Sequence, residues 1–177
     1  MLQEADKRAW STEDLTKSFG WNNAEGQQQQ DIQELNRILV EALETALKGT
    51  VYESLMDEMF FGESISYITC SCCGHQRSVN EKFLDLPIQV QNLKGVAESL
   101  EAYFTPDEIE GFNCEACEKP QMHTKGPLLS KLPPVLTFNL QRITYDMTTW
   151  DRIKINDKFE YPLELDMSKY LAPTDAA

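Results

Sequence analysis

Apolar residues recur at intervals of three and four through the first third of the chain and then pass into alternation, and each change of period marks an element. Ser11-Thr12-Glu13-Asp14 offers an N-cap with acids in the first turn, Leu15 and Phe19 form an i, i+4 pair, and Gly20 closes a short helix. Residues 22–30 are polar and read as a loop ending in Gln27–Gln30. From Asp31, the apolar residues Ile32, Leu35, Ile38, Leu39, Ala42, Leu43, Ala46 and Leu47 build one face of a longer helix that Gly49 terminates. Thr50-Val51-Tyr52-Glu53 has capping-box form for a third helix, with Leu55, Met59 and Phe60 facing inward and Gly62 ending it. Together these two helices predict an αα-hairpin.

Beyond Gly62 the period falls towards two. Ile65, Tyr67, Val79, Phe83, Leu84, Leu86, Ile88 and Val90 predict strands over 64–70 and 76–90, with Pro87 at an edge or at the end of pairing. Leu93, Val96, Leu100, Tyr103 and Phe104 return to helical spacing before Pro106. A polar strand around 121–127, an alternating strand carrying Leu136, Phe138 and Leu140, and another over 150–161 complete the pattern. Trp10, Trp21 and Trp150 are expected packing anchors.

The cysteines add chemistry to this frame. Cys70 and Cys73 form one C-x-x-C step, and Cys114 and Cys117 form a second. Two such turns supply the four thiolates of a tetrahedral structural zinc site, and Gly74 suits a knuckle that needs positive φ. Such an ion would join two separated strand pairs. A disulfide pairing or buried free thiols are the other readings of the same residues. Cys72, the fifth cysteine, reads as a bystander. His75 and His123 read as surface residues, since four cysteines suffice as ligands.

Composition narrows the class. At 177 residues with 41% hydrophobic and 25% charged residues, the chain is globular in character, and no apolar run approaches the ~20 residues of a membrane span. No signal-peptide pattern opens it, so a reducing compartment, cytoplasm or nucleus, is expected, which favours metal over disulfide. The net charge of −13 argues against nucleic acid as a partner. Residues 1–62 hold 12 Asp/Glu against 5 Lys/Arg, so a basic tail would find its partner there.

Several stretches, in order, carry a family likeness. Gln29-Gln30-Asp31-Ile32-Gln33-Glu34-Leu35 resembles the glutamine–aspartate box of the ubiquitin-specific proteases, cysteine peptidases that remove ubiquitin from proteins. Asp14-Leu15-Thr16-Lys17-Ser18-Phe19-Gly20-Trp21 resembles the segment before that box in the herpesvirus-associated branch. The two cysteine doublets match the zinc ribbon at the tip of the family's fingers. Leu132-Pro133-Pro134-Val135-Leu136, Leu140-Gln141-Arg142 and Ile153 to Pro162 resemble strands of its palm.

The resemblance implies an α+β fold, a fragment of a papain-like cysteine-protease domain. Residues 1–62 would form a helical thumb, 63–134 a zinc-ribbon fingers sheet and 135–177 the start of a palm. It implies a Zn2+ cofactor on Cys70, Cys73, Cys114 and Cys117, and contacts from Gln30, Asp31 and Glu34 to the arginine-bearing tail of ubiquitin. Asp31 and Glu34 also suit a helix start, and the two roles are compatible.

Three departures from the family pattern stand out. Residues 1–28 contain no cysteine, and neither histidine lies in a Gly-His-Tyr-like box, so no catalytic residue is assigned and the chain is expected to be inactive alone. Ile143 replaces the usual phenylalanine, read as a core exchange, and Arg142 is expected to pair with an acid. The expected partner is ubiquitin and ubiquitinated proteins, with the chain a monomer that engages neither nucleic acid nor membrane. The rival reading is a non-catalytic, zinc-stabilised module that binds ubiquitin or another protein. A zinc ribbon of the transcription machinery is disfavoured by the charge.

Overall fold

The computed structural model describes residues 11–18 and 32–173, and the chain divides into two compact units, residues 1–53 and 54–177. Gln30, Asp31, Trp10, Trp21, Phe19 and Gly20 lie outside the described residues.

The first unit carries two helices. Helix α1 spans Glu13–Ser18, with the Ser11 hydroxyl accepting the Glu13 amide at 3.2 Å and Lys17 paired to Glu13 at 2.8 Å. Helix α2 spans Ile32–Leu47 as its periodicity predicts, but its buried residue is Val40, which lies outside the expected stripe, while Ile32, Leu39 and Leu43 stay exposed. Gly49 adopts φ +75 after the helix, and the Thr50 hydroxyl donates to the Leu47 carbonyl at 2.6 Å. Glu53 accepts the Gly49 amide at 3.1 Å. The Thr50–Glu53 segment is therefore a turn that closes α2. It does not cap the next helix as the sequence suggested.

The second unit begins with α3, Leu55–Phe60. Met56 is buried, as expected of a core helix position, while Leu55 is exposed, which corrects its expected inward placement. Gly62 does not terminate this helix. It opens β1, Gly62–Cys70, where a Cβ would sit 2.3 Å from the Phe83 ring. A four-stranded antiparallel sheet follows in the order β2-β1-β5-β4, with β2 Gln76–Phe83, β4 Asp107–Cys114 and β5 Lys119–Lys131. The expected strand over 76–90 breaks at Leu84: β2 is an exposed edge, and β3, Asp85–Gln89, is a separate strand paired in parallel with β6, Thr137–Gln141. Pro87 lies in this two-stranded sheet, an edge position where its missing N–H is tolerated.

Helix α4, Val96–Phe104, matches its predicted periodicity. It buries Val96, Leu100 and Phe104 against Leu86, Ile88 and Val90 of the β3 segment, Leu129 of β5, and Ile155, Phe159 and Tyr170 downstream. The buried Ser99 hydroxyl donates to the Gln89 carbonyl at 2.6 Å, so the one polar residue on the inward face of α4 is satisfied. A short ribbon, β7 Ile143–Tyr145 with β8 Arg152–Lys154, leaves this core. The strand expected over 150–161 is regular only at β8. Arg142 donates to the carbonyls of Ile155 and Asp157, both at 3.2 Å, in place of the expected acid. Ile143 is 57% exposed and Trp150 71% exposed, so neither is a core residue as expected.

Candidate metal centre

The far end of the four-stranded sheet is built from two turns of one design. In the first, Cys70 ends β1, the Gly74 amide donates back to the Cys70 carbonyl at 2.9 Å, and the Cys70 amide donates to the His75 carbonyl at 2.9 Å. Gly74 has φ +72. In the second, Cys114 ends β4 and the Glu118 amide donates to the Cys114 carbonyl at 2.8 Å, with Glu118 at φ +54. The left-handed residue after each doublet folds its two cysteines to the same side. Sequence reasoning found Gly74 and missed Glu118, because nothing in a glutamate signals positive φ.

The four sulfurs converge. The Sγ atoms of Cys70, Cys73, Cys114 and Cys117 all lie within 4.8 Å of one another, with Cys70 to Cys117 at 3.9 Å and Cys73 to Cys114 at 3.6 Å. A tetrahedron of sulfurs ~2.3 Å from a central ion has edges of about 3.8 Å, so the cluster has the size of a metal cage. These separations are far beyond the ~2.05 Å of a disulfide, and all five cysteines are free thiols. Four soft thiolates suit zinc or iron and are poor ligands for hard cations, which prefer oxygen.

The electrostatics agree with a cation at the centre. Burial alone would push the Cys70 thiol up, but the amides of Cys73 and Cys72 and the neighbouring thiols bring it down to about 6. The Cys117 thiol is pushed up, first by its hydrogen bond with Cys73 and then by burial. Four adjacent thiols cannot all ionise without a positive charge among them.

The surroundings stiffen the tip. His123 faces Cys70 across the β1–β5 ladder and is 3% exposed, which corrects its expected surface placement. Its Nδ1 donates to the Gln121 carbonyl at 3.1 Å and its ring meets Phe112 edge-on at 5.1 Å. His75 is exposed as expected, and Arg77 of β2 pairs with Glu115 of the second turn. Because β1 pairs with β5 along its length, the two hairpins are already joined by a ladder, and a metal would lock their shared end. Cys72 is exposed, and no cysteine–histidine hydrogen bond occurs among the described residues. Glu34 lies exposed in the first turn of α2.

Comparison with known proteins follows the same lines. Residues 1–177 match the family model described as ubiquitin carboxyl-terminal hydrolase. The chain is 38% identical over 184 residues to human ubiquitin carboxyl-terminal hydrolase 47, covering 99% of this chain and 13% of that protein. It is 40% identical over 169 residues to Arabidopsis thaliana ubiquitin C-terminal hydrolase 12, covering 92% and 15%. The chain thus spans only 13% to 15% of these relatives. The solved SAGA Ubp8/Sgf11/Sus1/Sgf73 DUB module bound to ubiquitin aldehyde contains a chain of the same fold, with a TM-score of 0.78 at 24% identity, covering 92% of this chain and 38% of that one.

Proposed function

The chain belongs to the ubiquitin carboxyl-terminal hydrolase family, and on that premise we propose that it forms the ubiquitin-holding part of a deubiquitinase, which hydrolyses the peptide or isopeptide bond after the ubiquitin C-terminus. The observation that carries this reading is the convergence of Cys70, Cys73, Cys114 and Cys117 at the end of the four-stranded sheet. Zinc on these sulfurs would lock the shared end of the two hairpins into a firm face against which a small folded protein can rest. Gln30, Asp31 and Glu34 would meet the basic tail of ubiquitin, and the exposure of Glu34 suits that role.

The chemistry of bond cleavage falls to residues outside this chain. Four of its five cysteines are in the metal cluster and the fifth has no histidine partner among the described residues, so these 177 residues alone hydrolyse nothing. The same observation favours one second reading, a non-catalytic zinc-stabilised module that binds ubiquitin or another protein. In either case the protein works as a monomer on ubiquitinated proteins in the cytoplasm or nucleus, where thiols stay reduced, and engages neither nucleic acid nor membrane.

Titration of labelled ubiquitin with the chain tests the binding role. Saturable binding that weakens on chelation and in Asp31→Asn and Glu34→Gln is expected, and absence of binding to the metal-loaded chain overturns it. A ubiquitin probe with a reactive C-terminus, applied to the complete protein, separates enzyme from module: a covalent adduct supports the first and its absence the second.

A further inference from the structure

The four sulfurs of the cluster are paired across the two turns as well as gathered around a centre. Cys70 is hydrogen-bonded to Cys117 at 3.9 Å and Cys73 to Cys114 at 3.6 Å, so each pair takes one cysteine from each C-x-x-C step. Each pair also joins a buried sulfur, Cys70 or Cys114, to one nearer the surface of the chain, Cys117 or Cys73. Closing either pair to the ~2.05 Å of a disulfide moves each sulfur by about 1 Å or less.

The backbone sets these pairs in place. Cys70 lies opposite His123 and Cys114 opposite Lys119, so both cysteines hang from the same strand, β5, through its ladders with β1 and β4. The bonds from the Gly74 and Glu118 amides then fold the second cysteine of each turn to the same side. A bond within one turn spans three residues of chain, whereas bonds across the turns span 47 and 41. In chain-entropy terms the longer loops restrict the unfolded state far more, so the cross-turn bonds hold the folded tip more firmly.

We propose, on the premise that these cysteines hold a metal, that the site is a redox-convertible tether: peroxide expels the ion and ties Cys70 to Cys117 and Cys73 to Cys114 in its place. In each pair the outer thiolate attacks the peroxide. The O–O bond breaks, leaving a sulfenic acid on sulfur and, after protonation, one water. The buried sulfur of the pair then attacks the sulfenic sulfur, the S–S bond forms, and the sulfenic oxygen leaves as a second water. Two peroxides are reduced to four waters, four thiolates are oxidised to two disulfides, and the ion departs with its charge unchanged. The tip stays tied in both states. Cys72 is the competitor, because its thiol reaches that of Cys117 and a bond between them would leave Cys70 unpaired.

Titration of the zinc-loaded chain with hydrogen peroxide tests this. Release of one zinc per chain and loss of four thiols are expected. Mass-spectrometric mapping of the unreduced protein should find Cys70–Cys117 and Cys73–Cys114, with the same two bonds in Cys72→Ser. Amide exchange at the two turns should stay about tenfold slower than in the chelated, reduced chain. A phosphine reductant with added zinc should restore the metal content. Bonds within a turn, a bond through Cys72, or sulfinic acids without disulfides would each overturn the tether and leave the metal reading standing. A purified chain that takes up no zinc before oxidation would overturn both.

Discussion

The amide of Glu118 donates to the carbonyl of Cys114 at 2.8 Å while Glu118 itself is held at φ +54. Gly74 makes the same bond to Cys70 at φ +72, where a Cβ would meet no atom within 4 Å. The two turns share a geometry, and only one has the residue that adopts it without steric cost. Glu118→Gly is expected to stabilise the protein by about 0.5–1 kcal/mol, and Gly74→Ala to destabilise it by about 1 kcal/mol through conformation alone. Urea unfolding midpoints of the metal-loaded variants check both signs; a destabilised Glu118→Gly would mean that the side chain has a role beyond its backbone.

Removal of the metal should act locally. The core around Leu86, Ile88, Leu100 and Leu129 is made without the four cysteines. Chelation is therefore expected to release one zinc per chain and to raise amide exchange within residues 64–130, most steeply at the two turns, while the amides of α4 keep their protection. Any of Cys70, Cys73, Cys114 or Cys117 changed to Ser should lose the metal, and Cys72→Ser should retain it. Global unfolding on chelation would show that the core depends on the tip.

Gly95 bears on the core directly. A Cβ there would lie 2.6 Å from the Glu160 carbonyl oxygen, at a point where the Val96 amide donates to Glu160 and the Glu160 amide donates to Lys94. The three nearest atoms are the carbonyl oxygen, the carbonyl carbon and the Cβ of Glu160, none of them the far end of a flexible side chain, so the segment must move as a whole. Gly95→Ala is expected to cost about 1–3 kcal/mol, seen as a lower melting temperature, with metal content unchanged.

Acid should weaken two turns. The amides of Thr148 and Thr149 hold the Asp146 carboxyl below its ordinary range, and the hydroxyl and amide of Ser168 do the same for Asp166. A carboxyl depressed in the folded state contributes stability above its unfolded pKa, ~3.9, and that contribution is lost as pH falls through the folded value. Carboxyl titration by NMR should give midpoints below the unfolded one for both residues. Asp146→Asn should lessen the fall in stability below pH ~4 relative to the parent; equal acid sensitivity would show that this turn contributes nothing.

Much of this was legible in the chain. The cysteine spacing placed the four sulfurs together, and the periodicity of 93–104 located α4 with its buried residues. Helix α2 also formed where expected, although its pattern did not identify Val40 as the buried residue. What stayed hidden has physical reasons. Strand β4 was not anticipated: its start, Asp107-Glu108-Ile109-Glu110, is mostly acidic, and Gly111 at φ +74 interrupts its register, so alternation never becomes visible. His123 looks like a surface residue because its burial depends on β1 and β4 closing over β5 from either side. Ile143 and Trp150 carry the hydrophobicity of core residues, but they lie on the β7–β8 ribbon, which forms a sheet of its own outside the core cluster. Thr50 and Glu53 have the letters of a capping box and close the preceding helix, a distinction that three-residue spacing does not encode.

Strand β5 runs from Lys119 beside the second cysteine turn to Lys131 next to the buried Leu129. At ~3.3 Å per residue, the six residues from His123, opposite Cys70 of the cluster, to Leu129 span roughly 20 Å. The sheet is thus a cantilever, clamped at its root by apolar packing and clipped at its tip by thiolates. Between root and tip the arm is held by the hydrogen-bonded ladders of β1 with β2 and β5 and of β4 with β5, and not by a hydrophobic core of its own.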